Sequence, residues 1–494
     1  MKQWIELLKN RSKEFAASRE MQETSRPRDI RKPVFNIMYI FLGIFVLIAG
    51  YFSYYLIVRS DEVINNAYNK RQEVLSERVI RGSILSADGQ VLAQTLVDKE
   101  GKETREYPFK NVFAHVVGRY DMGKSGIEET ENIRLLTSNV NSIEVMYSDL
   151  MGEKSPGDSV VTTLNTKLQQ VAYDALGDYR GAVVVLEAST GKILAMVSKP
   201  DYDPNRVIQE WEKLLEDEDT RAPLFNRATQ GKYAPGSTFK VLTALEYMRE
   251  NMTYLEYKYD CDGKIEYDGM TIHCNHNKAH GNLKLPMALA KSCNTSFANI
   301  GKDLNLTKFY ELCEDFLFNH NLPVKMTSNI SSFSLQKGVS GTKEAMQTAI
   351  GQGKTWISPL HNAMITAAIA NDGIMMKPYV VDHVVNAEGA TVKKYSPESL
   401  GRKLSGSEAE YLTKAMRLVV TEGTATKLSD LSVSVAGKTG SAENSAGRPH
   451  SWFIGFAPDK ESEIVVSVIV ENVGTGSEYA VPIAKKIFQE YFKK

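Results

Sequence analysis

The chain has 494 residues, with 59 Lys and Arg against 60 Asp and Glu, a formal net charge of −1, and 43% hydrophobic and 24% charged residues. These are the values of an ordinary globular protein, and they exclude a disordered chain, a collagen and a disulfide-dense mini-scaffold. No basic domain or stripe marks a nucleic-acid binder, and the length corresponds to roughly two to four domains.

Taken in chain order, the first feature is an uncharged stretch from Pro33 to Val58. About 20 apolar residues, at about 1.5 Å each, cross the hydrocarbon core of a bilayer, and this run is long enough. Tyr51, Phe52, Tyr54 and Tyr55 near its C-terminal end suit an interfacial aromatic belt. A cleaved signal peptide would have a shorter apolar core nearer the start and a small-residue cleavage site. Residues 1–32 carry nine Lys and Arg and five Asp and Glu, a net +4 that leaves −5 for the rest of the chain. The positive-inside rule then places the N-terminus in the cytoplasm and the remaining chain outside. The expected organisation is a cytoplasmic tail over 1–32, a transmembrane helix over 33–58, a non-catalytic unit over 59–158 and a second unit over 159–494.

Residues 59–158 are polar and rich in loop formers. Asp88-Gly89 reads as the turn of a hairpin between Ile84-Leu85 and Val91-Leu92-Ala93. Pro156-Gly157-Asp158 marks a boundary. Beyond it, Leu168, Val171 and Leu176 give Thr166–Leu176 helical spacing, and Gly181–Ala188 reads as a buried strand. Ser189–Lys192 is a turn before a second strand over Ile193–Val197. Further strands are expected over Trp452–Ala457 and Ile464–Val470, with a mostly helical stretch between. There Ser358-Pro359 caps a helix that Asn371-Asp372-Gly373 ends. Strands from both ends around a helical middle read as α+β, with an antiparallel sheet flanked by helices.

Four cysteines, Cys261, Cys274, Cys293 and Cys313, are too few for a disulfide framework. Cys261 and Cys274 flank a turn-rich stretch, Asp262-Gly263 and Asp268-Gly269, and could pair in an oxidising compartment. His273, His276 and His280 nearby also permit a metal. The spacing fits no standard zinc pattern, so free thiols are expected, with no metal and no cofactor.

The chemistry is carried by Tyr233-Ala234-Pro235-Gly236-Ser237-Thr238-Phe239-Lys240. Ser237 follows a Pro-Gly loop and opens a helix, which stacks Ser237 and Lys240 one turn apart on one face. A serine hydroxyl needs a base to become a nucleophile, and a lysine desolvated near other cations can serve. Ser-x-x-Lys also occurs at Ser189–Lys192 and Ser334–Lys337, which read as turn residues. Ser292-Cys293-Asn294 follows 55 residues after Ser237, where Ser292 could relay a proton and Asn294 could hold a substrate amide. Lys438-Thr439-Gly440 follows the strand-like Val433–Ala436. There Lys438 supplies charge, Thr439 a hydroxyl, and Gly440 leaves room for substrate backbone to pair. Lys124-Ser125-Gly126 repeats the pattern before the nucleophile and off any strong strand.

The order Ser-x-x-Lys, Ser-x-Asn, Lys-Thr-Gly is the signature of penicillin-recognising serine enzymes. The sequence resembles a class B penicillin-binding protein, a peptidoglycan D,D-transpeptidase, over nearly its whole length. Further matching pieces are Arg81–Leu85, Gly351-Gln352-Gly353, Thr421–Ala425 and His450–Gly455. The resemblance implies a penicillin-binding, β-lactamase-like transpeptidase fold behind a small elongated pedestal and a single membrane helix. It implies Ser237 as nucleophile, Lys240 as base, and Ser292 as proton relay. Asn294 would orient Lys240 and the substrate amide, Lys438 would support the proton network, and Thr439 would bind the substrate carboxylate. Backbone N–H groups of Ser237 and Ser441 would form the oxyanion hole, with Gly440 beside them. Stem peptides ending in D-Ala-D-Ala are the implied substrate, and β-lactams acylate the same serine.

Bifunctional relatives add a glycosyltransferase domain for which 59–158 is too short, so a multi-pass membrane glycosyltransferase is the expected partner. A β-lactamase or D,D-carboxypeptidase is the second reading, but no Glu-x-x-Leu-Asn element lies between Asn294 and Lys438. A β-lactam sensor or silent scaffold is the third, and its cytoplasmic effector would have only 32 residues.

Overall fold

Gly181–Glu187 and Ile464–Val470 hold almost no polar side chain, which suits strands covered on both faces. Both lie inside the central sheet of the computed structural model. The structure describes residues 2–24, 31–55, 71–141, 146, 150–216, 221–336, 338–444, 447–457 and 464–493. It divides into two units, Met1–Asn69 and Lys70–Lys494. The first holds helix α1 (Lys2–Thr24) and helix α2 (Arg31–Tyr54). Within α2, Val34–Tyr54 has a mean hydropathy of 2.2 with none of it buried, long and apolar enough to cross a membrane once.

The second unit carries the chemistry. Its two larger sheets use β1 (Ile84–Leu85), β2 (Val91–Val97), β3 (Glu103–Glu106), β4 (Ser159–Thr162), β5 (Gly181–Glu187) and β6 (Ile193–Lys199). They continue with β7 (Val381–Val385), β8 (Thr391–Lys394), β9 (Ala436–Ala442), β10 (His450–Ala457) and β11 (Ile464–Val470). The helices that matter for the site are α3 (Thr166–Leu176), α4 (Lys240–Glu250), α5 (Asn294–Asp303), α6 (Pro359–Ala370) and α7 (Ala480–Tyr491).

Five strands form an antiparallel sheet in the order β9-β10-β11-β5-β6. Alternation along its strands sorts the side chains into two cores. Val183, Val185, Ile464, Val466 and Val468 pack with Leu168 and Leu176 of α3 and Ile487 and Phe488 of α7. Val184, Leu186, Val465 and Ile469 face the other way, with Leu360, Met364 and Ala368 of α6. Helix α6 is buried all round, and Ser358 caps it by accepting from the His361 N–H. The strand β9, bearing Lys438-Thr439-Gly440, is the sheet edge.

The second sheet has six strands in the order β8-β7-β4-β1-β2-β3. The β1–β2 hairpin turns at Asp88-Gly89, as the sequence predicts, with Gly89 at φ +77°. The β1–β4 pair is parallel, with Ile84 opposite Val160, and β4 pairs with β7. Two-residue strands such as β1 cannot hold a sheet alone. Here the sheet is completed by a hairpin some 220 residues later, so the expected boundary at 158/159 passes through a shared sheet. Beside it, Glu128 is fully buried between Arg81 (2.5 Å) and Arg105 (2.8 Å), and Tyr107 donates to the same carboxylate at 3.2 Å.

Candidate active site

Ser237 is held by a turn that several distant segments brace. Gly236 stands at φ +53° and donates its N–H to the Gly351 carbonyl at 2.9 Å. Gly351 itself has φ +80°, and a Cβ there would lie 1.8 Å from the Gly236 oxygen, so only glycine fits. The Trp452 indole, fully buried on β10, donates to the Ala234 carbonyl at 3.0 Å. Tyr233 donates its phenol to Glu471 at 2.7 Å, and Arg227 pairs with the same carboxylate at 2.8 Å. The sequence places Ser237 at the start of an α-helix. The structure gives a single 3-10 turn, Gly236–Thr238, with α4 beginning at Lys240. In a 3-10 turn i and i+3 nearly eclipse, so the tighter turn still brings Ser237 and Lys240 together.

Lys240 is fully buried, and its Nζ is the hub of the site. It lies 3.0 Å from the Ser237 Oγ, 2.9 Å from the Ser292 carbonyl oxygen, 2.6 Å from the Asn294 Oδ1 and 3.4 Å from the Ser292 Oγ. Ser292 takes the left-handed conformation, φ +54°, which turns both its carbonyl and its hydroxyl toward Lys240. Asn294 begins α5, and its Nδ2 donates to the His273 carbonyl at 2.8 Å, which fixes the amide with its oxygen toward the lysine. Lys438, also fully buried, donates to the Ser292 Oγ at 2.9 Å and to the Thr439 carbonyl at 2.9 Å. Ser292 thus sits between two amines.

Burial pushes the Lys240 ammonium down to about 8. Burial, with repulsion from Lys240, pushes Lys438 well down too. The carbonyl of Ser292 and the Oδ1 of Asn294 can only accept. A neutral Lys240 amine has two N–H donors for those two acceptors, which leaves its lone pair for the Ser237 hydroxyl.

The structure therefore brings Ser237, Lys240, Ser292, Asn294 and Lys438 into one hydrogen-bonded chain. Ser441 adjoins it, since a Cβ on Gly236 would lie 2.9 Å from the Ser441 oxygen. At Gly440 a Cβ would meet the Pro235 oxygen, the Thr238 Cγ2 and the Trp452 Cβ at 3.0–3.1 Å. This glycine lets the turn that carries Ser237 close on β9. The Thr439 hydroxyl lies 2.5 Å from that of Thr424, a residue the motifs leave without a role. Gly351, Trp452 and Thr424 all belong to pieces visible in the sequence, but only the fold shows what they touch. Glu471 has no sequence signal. Of the repeated patterns, Ser189–Lys192 is a turn whose lysine pairs with Asp382, Lys124-Ser125-Gly126 leads into a short helix, and Lys337 lies outside the described residues.

Residues 181–489 match the family model of the penicillin binding protein transpeptidase domain, and residues 81–160 that of the penicillin binding protein A dimerisation domain. The peptidoglycan D,D-transpeptidase PbpA of Mycolicibacterium smegmatis is 34% identical over 442 residues, covering 82% of this chain and 87% of the relative. The structure of penicillin-binding protein A from M. tuberculosis as a ceftriaxone acyl-enzyme superposes with a TM-score of 0.78 at 30% identity, over 85% of this chain and all of that one. The D,D-transpeptidase domain of a peptidoglycan glycosyltransferase from Eggerthella lenta gives 0.77 at 30% identity, over 84% of this chain and 99% of that one. The chain belongs to the penicillin-binding protein transpeptidase family. Within it, this is a class B penicillin-binding protein with the expected transpeptidase fold.

Proposed function

We propose that the chain is a serine D,D-transpeptidase that cross-links peptidoglycan stem peptides and is acylated by β-lactams. The observation that carries this is the buried Lys240 Nζ, 3.0 Å from the Ser237 Oγ and held by two acceptors, the Ser292 carbonyl and the Asn294 Oδ1. Ser237 Oγ attacks the penultimate D-Ala carbonyl while its proton passes to Lys240. The oxyanion is met by the backbone N–H groups of Ser237 and Ser441, donors of a kind worth about 3 kcal/mol each. Ser292, bonded to Lys438 and near Lys240, carries a proton to the amine of the departing D-Ala. Thr439, with Thr424 beside it, binds the substrate carboxylate. An amine of a neighbouring stem then attacks the acyl-enzyme, and its proton returns along the same path. In a β-lactam the leaving amine stays tethered to the acyl group.

Such a substrate lies outside the cytoplasmic membrane. With the +4 of residues 1–32 on the cytoplasmic side, α2 spans once and Lys70–Lys494 stands outside. A multi-pass membrane glycosyltransferase supplies the glycan strand and binds through the anchor and residues 59–158. Its consistent absence from detergent pull-downs of the full chain would remove that partner.

A fluorescent penicillin is expected to label the wild type stoichiometrically and Ser237→Ala not at all. Persistent labelling of Ser237→Ala would refute the nucleophile. A D-Ala-D-Ala thioester mimic offered with a D-amino acid acceptor is expected to yield transfer product. Hydrolysis alone would favour a carboxypeptidase.

A further inference from the structure

The Ser-x-Asn loop is anchored on a cluster that acyl transfer does not use. Cys261, Cys274 and Cys293 are almost fully buried, His280 is half-buried, and the four possible ligand atoms all lie within 4.8 Å of one another. All four cysteines of the chain are free. The Sγ atoms of Cys261 and Cys274 are 3.7 Å apart, those of Cys274 and Cys293 also 3.7 Å, and the Cys261 Sγ lies 3.4 Å from the His280 Nδ1. A tetrahedral zinc with Zn–S of about 2.3 Å and Zn–N of about 2.0 Å requires about 3.8 Å between sulfurs and about 3.5 Å from sulfur to nitrogen. A disulfide requires about 2.05 Å. The spacing is that of ligands around one small ion.

The backbone holds these residues together before any ion arrives. Cys274 N–H donates to the Gly263 carbonyl at 2.9 Å, and His280 N–H to the Cys261 carbonyl at 3.1 Å. The outer groups are those a metal thiolate uses. Thr295 donates its hydroxyl to the Cys261 Sγ at 3.2 Å, and the Ser296 N–H at the start of α5 lies 3.5 Å from the Cys293 Sγ. Sequence spacing argued against a zinc motif because the ligands come from four short segments. These are the end of the strand Tyr259–Cys261, the residue after the strand Met270–His273, the residue before the strand Gly281–Leu283, and the cap of α5.

We propose that Cys261, Cys274, His280 and Cys293 bind one thiophilic divalent cation, zinc, as a closed four-ligand site that positions the Ser-x-Asn loop. Cys293 lies between Ser292 and Asn294, both of which touch the Lys240 Nζ. The Asn294 Nδ2 is held by the carbonyl of His273, next to Cys274. An ion tying Cys293 to Cys274 fixes both ends of that arrangement. The ligands are positioning residues, and this second role rests on the acyl-transfer reading above, whereas metal binding does not.

The test uses the full chain purified in detergent from zinc-supplemented cells, with any affinity tag removed. Elemental analysis is expected to find about one zinc per chain. Cobalt exchanged for zinc should show thiolate-to-cobalt charge-transfer bands and the d–d bands of a tetrahedral site. Cys274→Ser should lose the metal, while Cys313→Ala, with its thiol buried elsewhere, should keep it. Stripping the wild type should slow penicillin acylation at least about tenfold, with recovery on adding zinc. The stripping experiment stands even where Cys274→Ser does not fold. Metal-free protein in which Cys261, Cys274 and Cys293 all react as free thiols, or a Cys261–Cys274 disulfide found by peptide mapping, would overturn the site. Unchanged acylation by the stripped enzyme would overturn its positioning role. Ser237→Ala should keep the metal while losing acylation, which separates failure of this inference from failure of the enzymatic reading.

Discussion

At the scale of single residues the site turns on where protons sit. As the proposed base Lys240 must be neutral, and burial brings its midpoint to about 8. The neutral fraction rises with pH, so the second-order rate of penicillin acylation should rise about tenfold per unit below that midpoint and level off above it. Stopped-flow measurement between pH 6 and 10 checks this, and a flat profile would count against Lys240 as the base. Thr424 lies in a piece visible in the sequence, but no motif gives it a role. Its hydroxyl bonds that of Thr439, a link of a kind worth about 0.5–1.5 kcal/mol. Thr424→Val should therefore lower acylation by a carboxylate-bearing β-lactam severalfold, and much less for an ester that lacks the carboxylate. Ser237, Lys240, Ser292, Asn294 and Lys438 are legible as one constellation because three short motifs, each repeated or commonplace alone, occur in one order. Thr424 is not, because a threonine acquires a role only from the strand beside it.

At the scale of elements, local signals served well where one segment sets its own structure. Helix α3 has the ends that its apolar spacing predicts, and α6 has the expected Ser358 cap and Pro359 first turn. The strands β5, β6, β10 and β11 lie where apolar runs place them. The turn that carries Ser237 is different, because its shape depends on elements that are remote in sequence. Gly351 carries φ +80° and abuts the Gly236 oxygen. Gly351→Ala adds a left-handed alanine, costing about 1–2 kcal/mol, and a backbone overlap that only movement of the turn relieves. Acylation should fall at least about tenfold, a loss of the size a small misplacement of reacting groups produces, while far-UV circular dichroism stays native. Wild-type acylation by this variant would show that the contact does not position Ser237.

At the scale of the whole molecule, β7 and β8 couple residues 81–162 to the catalytic half by joining their sheet. Glu128 is the electrostatic centre of that region. Burial works to raise its pKa, but the charges of Arg105 and Arg81 and their hydrogen bonds outweigh it and hold the carboxyl low. The stabilisation is present above the unfolded carboxylate pKa and is lost as pH falls through the lower folded value. Glu128→Ala leaves two buried guanidinium groups without their partner, a kind of change that costs about 3–5 kcal/mol. Because the sheet is shared, penicillin binding and intrinsic fluorescence should fall in one thermal transition at a lower midpoint. Two separated transitions would show that residues 81–162 unfold independently. The sequence by itself determined the apolar helix long enough to cross a membrane, the strands and helices with strong apolar periodicity, and the class of chemistry. The helices and strands follow from composition and spacing within one segment, and the class of chemistry from the order of three short motifs that resemble a known family. Only the tertiary structure decided the brace under Ser237, the sheet shared across residue 158 and the Cys261-Cys274-His280-Cys293 cluster. Each joins residues far apart in the chain, and their distances are set by how the elements pack rather than by their order.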